Sequence, residues 1–206
     1  HELRTPIARL EFGLELLDAR ARDPDLHRRI AAMEGDLREL NSLVNELLDM
    51  SKLDSARTLQ PASVDLKELL EQCCATLPPS PHAVACELDG PLGEIDADPR
   101  LLARAVGNLL RNAQKYAAGR VLLSARRSAD GTEIAVDDDG PGIPEDERER
   151  IFDPFYRLDR SRDRATGGFG LGLSIARKAV ALHGGSLRAE ASSLGGARFV
   201  IKLPPA

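Results

Sequence analysis

The sequence predicts a helical hairpin that pairs into a dimeric four-helix bundle, followed by an α/β sandwich. Three observations carry this prediction. Residues 1–57 hold two apolar series with a 3.5-residue repeat and no strand signal. A polar stretch with Pro61 then interrupts the pattern. Beyond it, short alternating segments are interleaved with amphipathic ones, and glycines mark the turns. The chain has 206 residues and 42% hydrophobic content, enough for one ordinary domain plus a smaller element.

Leu3, Ile7, Leu10, Leu14 and Leu17 are spaced 4-3-4-3. After a break at Asp23-Pro24-Asp25 a second series runs Leu26, Ile30, Met33, Leu37, Leu40, Val44 and Leu47. Such repeats pack helices almost parallel. A lone hairpin leaves much of its seam wet, so the sequence predicts a homodimer. Residues 58–63 read as a linker and residues 64–206 as the second domain. Within it, residues 64–74 begin as a strand and become helical, and residues 84–88 alternate. Residues 99–117 form a long amphipathic helix with Pro99 near its start, where proline is tolerated. Residues 120–125 and 132–137 form a hairpin turning at Asp130-Gly131. Residues 144–151 read as a short acidic helix. Residues 173–182 form a helix stopped at His183-Gly184-Gly185. Residues 187–191 and 197–203 form a last hairpin around Gly195-Gly196. Together these make one mixed sheet with helices on one face.

Composition narrows the function classes. The net charge is −5, and 28 Lys+Arg are interspersed with 33 Asp+Glu, so a basic stripe for nucleic acid is not evident. Trp is absent and aromatics are 3%, which removes stacking platforms for single strands. The expectation is no direct nucleic-acid binding. No apolar run approaches the ~18–20 residues that span a bilayer, so no membrane contact is expected of this stretch. The chain starts inside a motif and without Met, which reads as a fragment of a longer protein. The three cysteines suggest neither a disulfide framework nor a zinc site. Cys73 shares an apolar face with Leu66, Leu69, Leu70 and Leu77, and Cys86 alternates with Val84 and Leu88. The expectation is buried, reduced thiols, with a redox role for Cys73-Cys74 as the alternative.

If Leu3 is d and Ile7 is a, His1 falls at b and faces solvent. Glu2 beside it can take a proton from one ring nitrogen while the other attacks. Thr5 lies one turn on, on the same face, and Pro6 removes a backbone hydrogen bond there. His1-Glu2-Leu3-Arg4-Thr5-Pro6 resembles the H-box of bacterial two-component sensor histidine kinases of the HisKA type. The resemblance implies that His1 is phosphorylated and Glu2 assists. It also implies that Thr5 orients water against the phospho-aspartate of a partner in the reverse activity.

Asn108 and Asn112 stand four apart on one helix face, with Lys115 three further on. Two amides and an ammonium suit a triphosphate with a hard cation. On spacing alone they serve equally as a solvated polar face. Asp137-Asp138-Asp139 ends a strand signal and runs into Gly140-Pro141-Gly142; a metal site or an acidic turn is the generic reading. Gly167-Gly168-Phe169-Gly170-Leu171-Gly172 precedes a helix, where backbone N–H groups meet phosphate. It is neither a Walker A loop nor a clean dinucleotide fingerprint.

In this order, and with Phe152-Asp153-Pro154-Phe155-Tyr156-Arg157, these segments resemble the N, G1, F and G2 boxes of the GHKL-type ATP-binding domain. The resemblance covers nearly the whole chain. It implies ATP and Mg²⁺, with Asn112 and Asn108 as metal holders and Lys115 on phosphate. Tyr116 would lie against the base, and Asp138 would accept from the adenine amino group. Gly140 and Gly142 belong to the same box, and Arg157 would reach the γ-phosphate. Gly168, Gly170, Leu171 and Gly172 would line the phosphates, and residues 159–167 would form a lid. The implied function is autophosphorylation of His1 and transfer to an Asp of a cognate response regulator. The fragment would be cytoplasmic and its parent at the bacterial inner membrane. An ATPase that drives conformational change needs a large domain after the ATP site, and the sequence ends soon after the last strand signal. A pure docking module leaves the intact Asn112, Asp138 and glycine boxes unexplained.

Overall fold

The computed structural model describes residues 4–18, 23–55, 59–88, 90–158 and 169–205. Two helices open the chain, α1 (Arg4–Asp18) and α2 (Pro24–Ser55). Asp23 caps α2 by accepting the Asp25 N–H, and Pro24 takes the first helical position, where its missing N–H costs nothing. Ile7, Leu14, Ile30 and Leu37 form a small core, with Val44 packed against it. The other half of the seam stays open. In α1, Ile7 and Leu14 are 5% and 7% exposed, whereas Leu10 and Leu17 are 57% and 58% exposed. In α2, Leu26, Met33, Leu40 and Leu47 are exposed between buried neighbours. One stripe of each helix closes the hairpin and the alternate stripe faces outward.

The rest of the chain folds as β1 (Ala62–Asp65), α3 (Leu66–Ala75), β2 (Val84–Leu88), β3 (Glu94–Ala97), α4 (Pro99–Tyr116), β4 (Val121–Ser128), β5 (Gly131–Asp138), α5 (Gly172–Leu182), β6 (Ser186–Ala191) and β7 (Ala197–Leu203). Strands β2-β4-β5-β7-β6 make a five-stranded mixed sheet in which only the β2–β4 pair is parallel. Strands β1 and β3 make a separate antiparallel pair. The side of the large sheet that carries Leu123, Ile134, Phe199 and Ile201 packs against α3, α4 and α5. The other side is polar, with Arg126 paired to Glu133 at 3.0 Å and Arg198 to Asp137 at 2.8 Å. Among the described residues no helix is long and apolar enough to cross a membrane.

Local chemistry sets the helix ends. Asp98 caps α4 by accepting from Arg100 and Leu101, and Pro99 follows it. At the end of α5, Gly184 adopts a positive φ of 70°. Its N–H bonds the Ala181 carbonyl and the Gly185 N–H bonds that of Val180, a Schellman closure.

Three features differ from the sequence reading. The acidic segment after Pro144 is not an α-helix but two 3₁₀ turns, Glu145–Glu147 and Arg150–Phe152. It has no apolar stripe before Ile151, so packing cannot favour a longer helix there. Strand β3 was not expected; Glu94–Ala97 alternates over only four residues. Cys73 is buried as expected, but Cys86 is exposed and Cys74 half-buried. Strand β2 lies at the sheet edge, so alternation with Val84 and Leu88 does not bury Cys86.

The end of α2 meets α5 through Leu53, Leu171 and Ile175, with Met50 and Phe169 alongside. This contact joins the hairpin to the α/β part.

Candidate functional site

Helix α4 buries Leu102, Val106, Leu109, Leu110 and Ala113 completely. That fixes its opposite stripe, on which Asn108, Asn112 and Lys115 are each half-buried. The Asn108 side-chain amide donates to the Gly172 carbonyl at 3.0 Å. Its oxygen accepts from Arg111 at 2.5 Å. Asn108 thus ties α4 to the first residue of α5. The Lys115 ammonium lies 4.7 Å from the centroid of the Tyr116 ring, which is partly exposed.

The three consecutive aspartates at the end of β5 do three different things. Asp137 turns to the polar side of the sheet, accepting from Ser192 and Arg198 at 2.8 Å each. Asp138 is buried and accepts through Oδ1 from Gly140 N–H at 2.9 Å and Ala197 N–H at 3.0 Å. Burial pushes its carboxyl up, against the pull of those two N–H groups. Asp139 Oδ1 accepts from the backbone N–H groups of Ala118, Gly119 and Arg120 at 2.9 Å each. The N–H groups of Arg120 and Gly119 foremost hold its carboxyl down at about 2. Among the described residues no group of three His, Cys, Asp or Glu side chains is placed to hold a metal ion. The generic metal reading of this triplet therefore fails, because alternation along β5 and the turn after it send the carboxylates apart.

The glycines mark where backbones close on one another. A Cβ on Gly140 would overlap the carbonyl oxygen of Tyr116, so the turn after β5 lies directly on the end of α4. A Cβ on Gly196 would overlap Asp138 Oδ1. Sequence reasoning gave Gly196 only a turn role; the Gly195-Gly196 pair was its sole signal. Gly142 has a positive φ of 72°. Gly170, at φ 74°, would place a Cβ 2.7 Å from the Tyr156 carbonyl oxygen, and its own carbonyl accepts the Phe155 N–H at 3.0 Å. Phe155 is itself left-handed at φ 65° and exposed. Phe152 anchors the same segment by an edge-on contact with Phe199, and the Tyr156 hydroxyl donates to Glu147. Arg157 follows, half-buried.

The structure thus gathers Asn108, Asn112, Lys115, Tyr116, Asp138, Gly140, Gly142, Arg157, Gly170 and Gly172 onto adjoining segments around the stripe of α4. The Leu171 side chain points elsewhere, fully buried with Leu53 and Ile175. His1, Glu2, Gly168 and the segment 159–167 lie outside the described residues, as does the side chain of Thr5.

Residues 97–206 match the family described as histidine kinase-, DNA gyrase B-, and HSP90-like ATPase. The chain belongs to that family. Residues 1–56 also match the His Kinase A phospho-acceptor domain, which places the chain among the two-component sensor histidine kinases. The sensor histidine kinase CpxA of Escherichia coli (strain K12) is 36% identical over 208 residues, covering 99% of this chain and 45% of CpxA. The sensor protein RstB of the same strain is 38% identical over 211 residues, covering 99% of this chain and 47% of RstB. The chain spans about half the length of these curated relatives. The crystal structure of full-length ShkA in complex with AMPPNP superposes with a TM-score of 0.82 at 32% identity, covering 99% of this chain and 44% of ShkA. In this histidine kinase core the helical hairpin is therefore the phospho-acceptor region and the α/β part the ATPase-type domain.

Proposed function

We propose that residues 1–57 are the dimerisation and phosphoacceptor hairpin, 58–63 a linker whose last two residues already enter β1, and 64–206 the ATP-binding domain. ATP donates its γ-phosphoryl group to His1, which passes it to an aspartate of a response regulator. The observation that supports this most is the convergence of four chain segments on one cradle. Asn108 bonds the Gly172 carbonyl, Gly140 packs on the Tyr116 carbonyl, and Phe155 bonds the Gly170 carbonyl.

In this reading Asp138 accepts from the adenine amino group, and Gly140 and Ala197 orient its carboxylate to do so. Tyr116 lies along the base, and Gly142 lets the turn pass close to it. The start of α5, with Gly168, Gly170, Leu171 and Gly172, offers backbone N–H groups to the phosphates. Lys115 and Arg157 add positive charge at the transferring group. The donor set fits Mg²⁺, since the Asn108 and Asn112 amide oxygens are hard donors on one stripe. Asn108 would release Arg111 to serve it. Mg²⁺, when bound, offsets the negative charge of the phosphates.

A His1 ring nitrogen attacks the γ-phosphorus as the bond to the ADP oxygen breaks, and Glu2 takes the proton from the other nitrogen. Thr5 directs water in the reverse reaction on the phosphorylated regulator. The outward stripe of Leu10, Leu17, Leu26, Met33, Leu40 and Leu47 supports a homodimer, in which a second hairpin covers it.

The test is transfer of label from γ-labelled ATP with Mg²⁺, alongside His1→Gln and Asn112→Ala. Acid-labile, base-stable label that disappears in both variants is the expected result. Loss of label together with loss of Mg²⁺-dependent ATP binding in the unsubstituted chain would overturn the reading in favour of a docking module.

A further inference from the structure

Cys74 and Cys86 sit on separate elements that the fold brings together. Cys74 is in the last turn of α3, and Cys86 is in the middle of the edge strand β2. Their sulfurs are 2.9 Å apart and both thiols are free. A disulfide bond is about 2.0 Å long, so the sulfurs need to close by about 0.9 Å. The elements can give that much, because β2 is paired on one side only and a loop joins it to α3. Cys86 is exposed and open to a soluble oxidant; Cys74 is half-buried behind it. The third thiol is turned away. Cys73 is buried and points at the Ala103 carbonyl of α4 at 3.7 Å.

We propose that Cys74 and Cys86 form a reversible intramolecular disulfide, so that the corner of α3 and β2 is an oxidation site for a hydroperoxide. The Cys86 sulfur attacks the terminal peroxide oxygen. The O–O bond breaks, and for hydrogen peroxide the departing hydroxide leaves as water with the thiol proton. Cys86 then carries a sulfenic acid. The Cys74 sulfur attacks it, the S–O bond breaks, and the hydroxide leaves as a second water with the Cys74 proton. Two thiols lose two electrons in all, and the peroxide gains two.

The neighbouring thiol itself restrains Cys74 beforehand. Burial first, and the contact with Cys86 next, push Cys74 up to about 12. The closed loop would lie along α4, to which it is already tied by the Gln114 bond to the His82 carbonyl at 3.1 Å. The proposal rests on neither the nucleotide site nor His1.

All three cysteines fall on one tryptic peptide, residues 68–100, so the assignment reads which of them remains open to alkylation. The reduced chain is treated with stoichiometric hydrogen peroxide, alkylated, digested and sequenced by tandem mass spectrometry. The expected product is a single chain with no covalent link to a second one, lighter by two hydrogens, with the alkyl group on Cys73 alone. Dithiothreitol reverses it, and Tm rises by roughly 5–10 °C on oxidation. Cys73→Ser keeps the cross-link. Cys74→Ser loses it and leaves Cys86 trappable by dimedone. Label retained on Cys74, a bond involving Cys73, or only intermolecular disulfides would overturn the proposal.

Discussion

The hairpin and the α/β part use the same apolar residue types and reach opposite outcomes. In the α/β part, Leu102, Leu109, Leu110, Leu123 and Ile134 are all fully buried within one chain. In the hairpin, every second member of each leucine series among the described residues is exposed. The difference lies in how many layers each part can build alone. Three helices on a sheet close a core; two helices side by side can bury only the stripe between them. Taken alone, the hairpin leaves Leu10, Leu17, Met33 and Leu40 exposed, whereas the α/β part covers its own leucines.

Met33→Asp combined with Leu40→Asp presses hardest on that comparison. Each fully buried apolar side chain contributes on the order of 1.5–3 kcal/mol, and a symmetric interface counts each substitution twice. The charges must also leave water if the second hairpin docks. The doubly substituted chain should sediment as a monomer at micromolar concentration, while its ATP-dependent thermal shift stays that of the unsubstituted chain. A dimer that survives both substitutions would place the interface elsewhere.

The reverse experiment is smaller and local. Leu110→Ala empties a fully buried site between α4 and the sheet, and should cost about 2–5 kcal/mol in urea unfolding of the α/β part. The loss should not depend on protein concentration, whereas melting of the hairpin should. A concentration-dependent loss at Leu110 would mean that the α/β part is not self-contained.

These contrasts explain what the sequence could and could not reveal. A 3.5-residue repeat announces that leucines are covered but not by which chain, so Ile7 and Leu10 look alike until burial separates them. Helix α4 was legible to its ends because Pro99 and a strong apolar stripe agree. The boxes around it were legible through their resemblance to the GHKL order, which the family match over residues 97–206 bears out, whereas on spacing alone Asn108, Asn112 and Lys115 serve equally as a solvated polar face. Strand β3 was not, because four residues offer only two turns of alternation. The separate duties of Asp137, Asp138 and Asp139 were hidden for another reason. Alternation puts the first two on opposite faces, but the partners Ser192, Ala197 and Arg198 arrive from the far end of the chain. Gly196 was missed for the same reason, since its closeness to Asp138 exists only after β7 pairs with β5.

The smallest expected effect tests how the α/β part holds its site together. Asp139 fastens the turn after β5 to the chain leaving α4, through the N–H groups of Ala118, Gly119 and Arg120. Its folded pKa of about 2 lies below the ordinary Asp value of about 3.9. The linkage follows from that order. The unfolded chain binds the proton more readily, so the carboxylate contributes its full stability above about pH 4 and loses it as pH falls through about 2. Urea unfolding followed from pH 5 to pH 2 should therefore show a shallower acid slope in Asp139→Asn than in the unsubstituted chain. Some slope should remain in the variant from Asp98. Burial alone would raise that carboxyl, but the Gln60 N–H and Arg100 outweigh it and hold it below the usual range. An unchanged slope in Asp139→Asn would mean that the three N–H groups serve the amide as well as the carboxylate, and that the clasp on α4 depends on shape rather than charge.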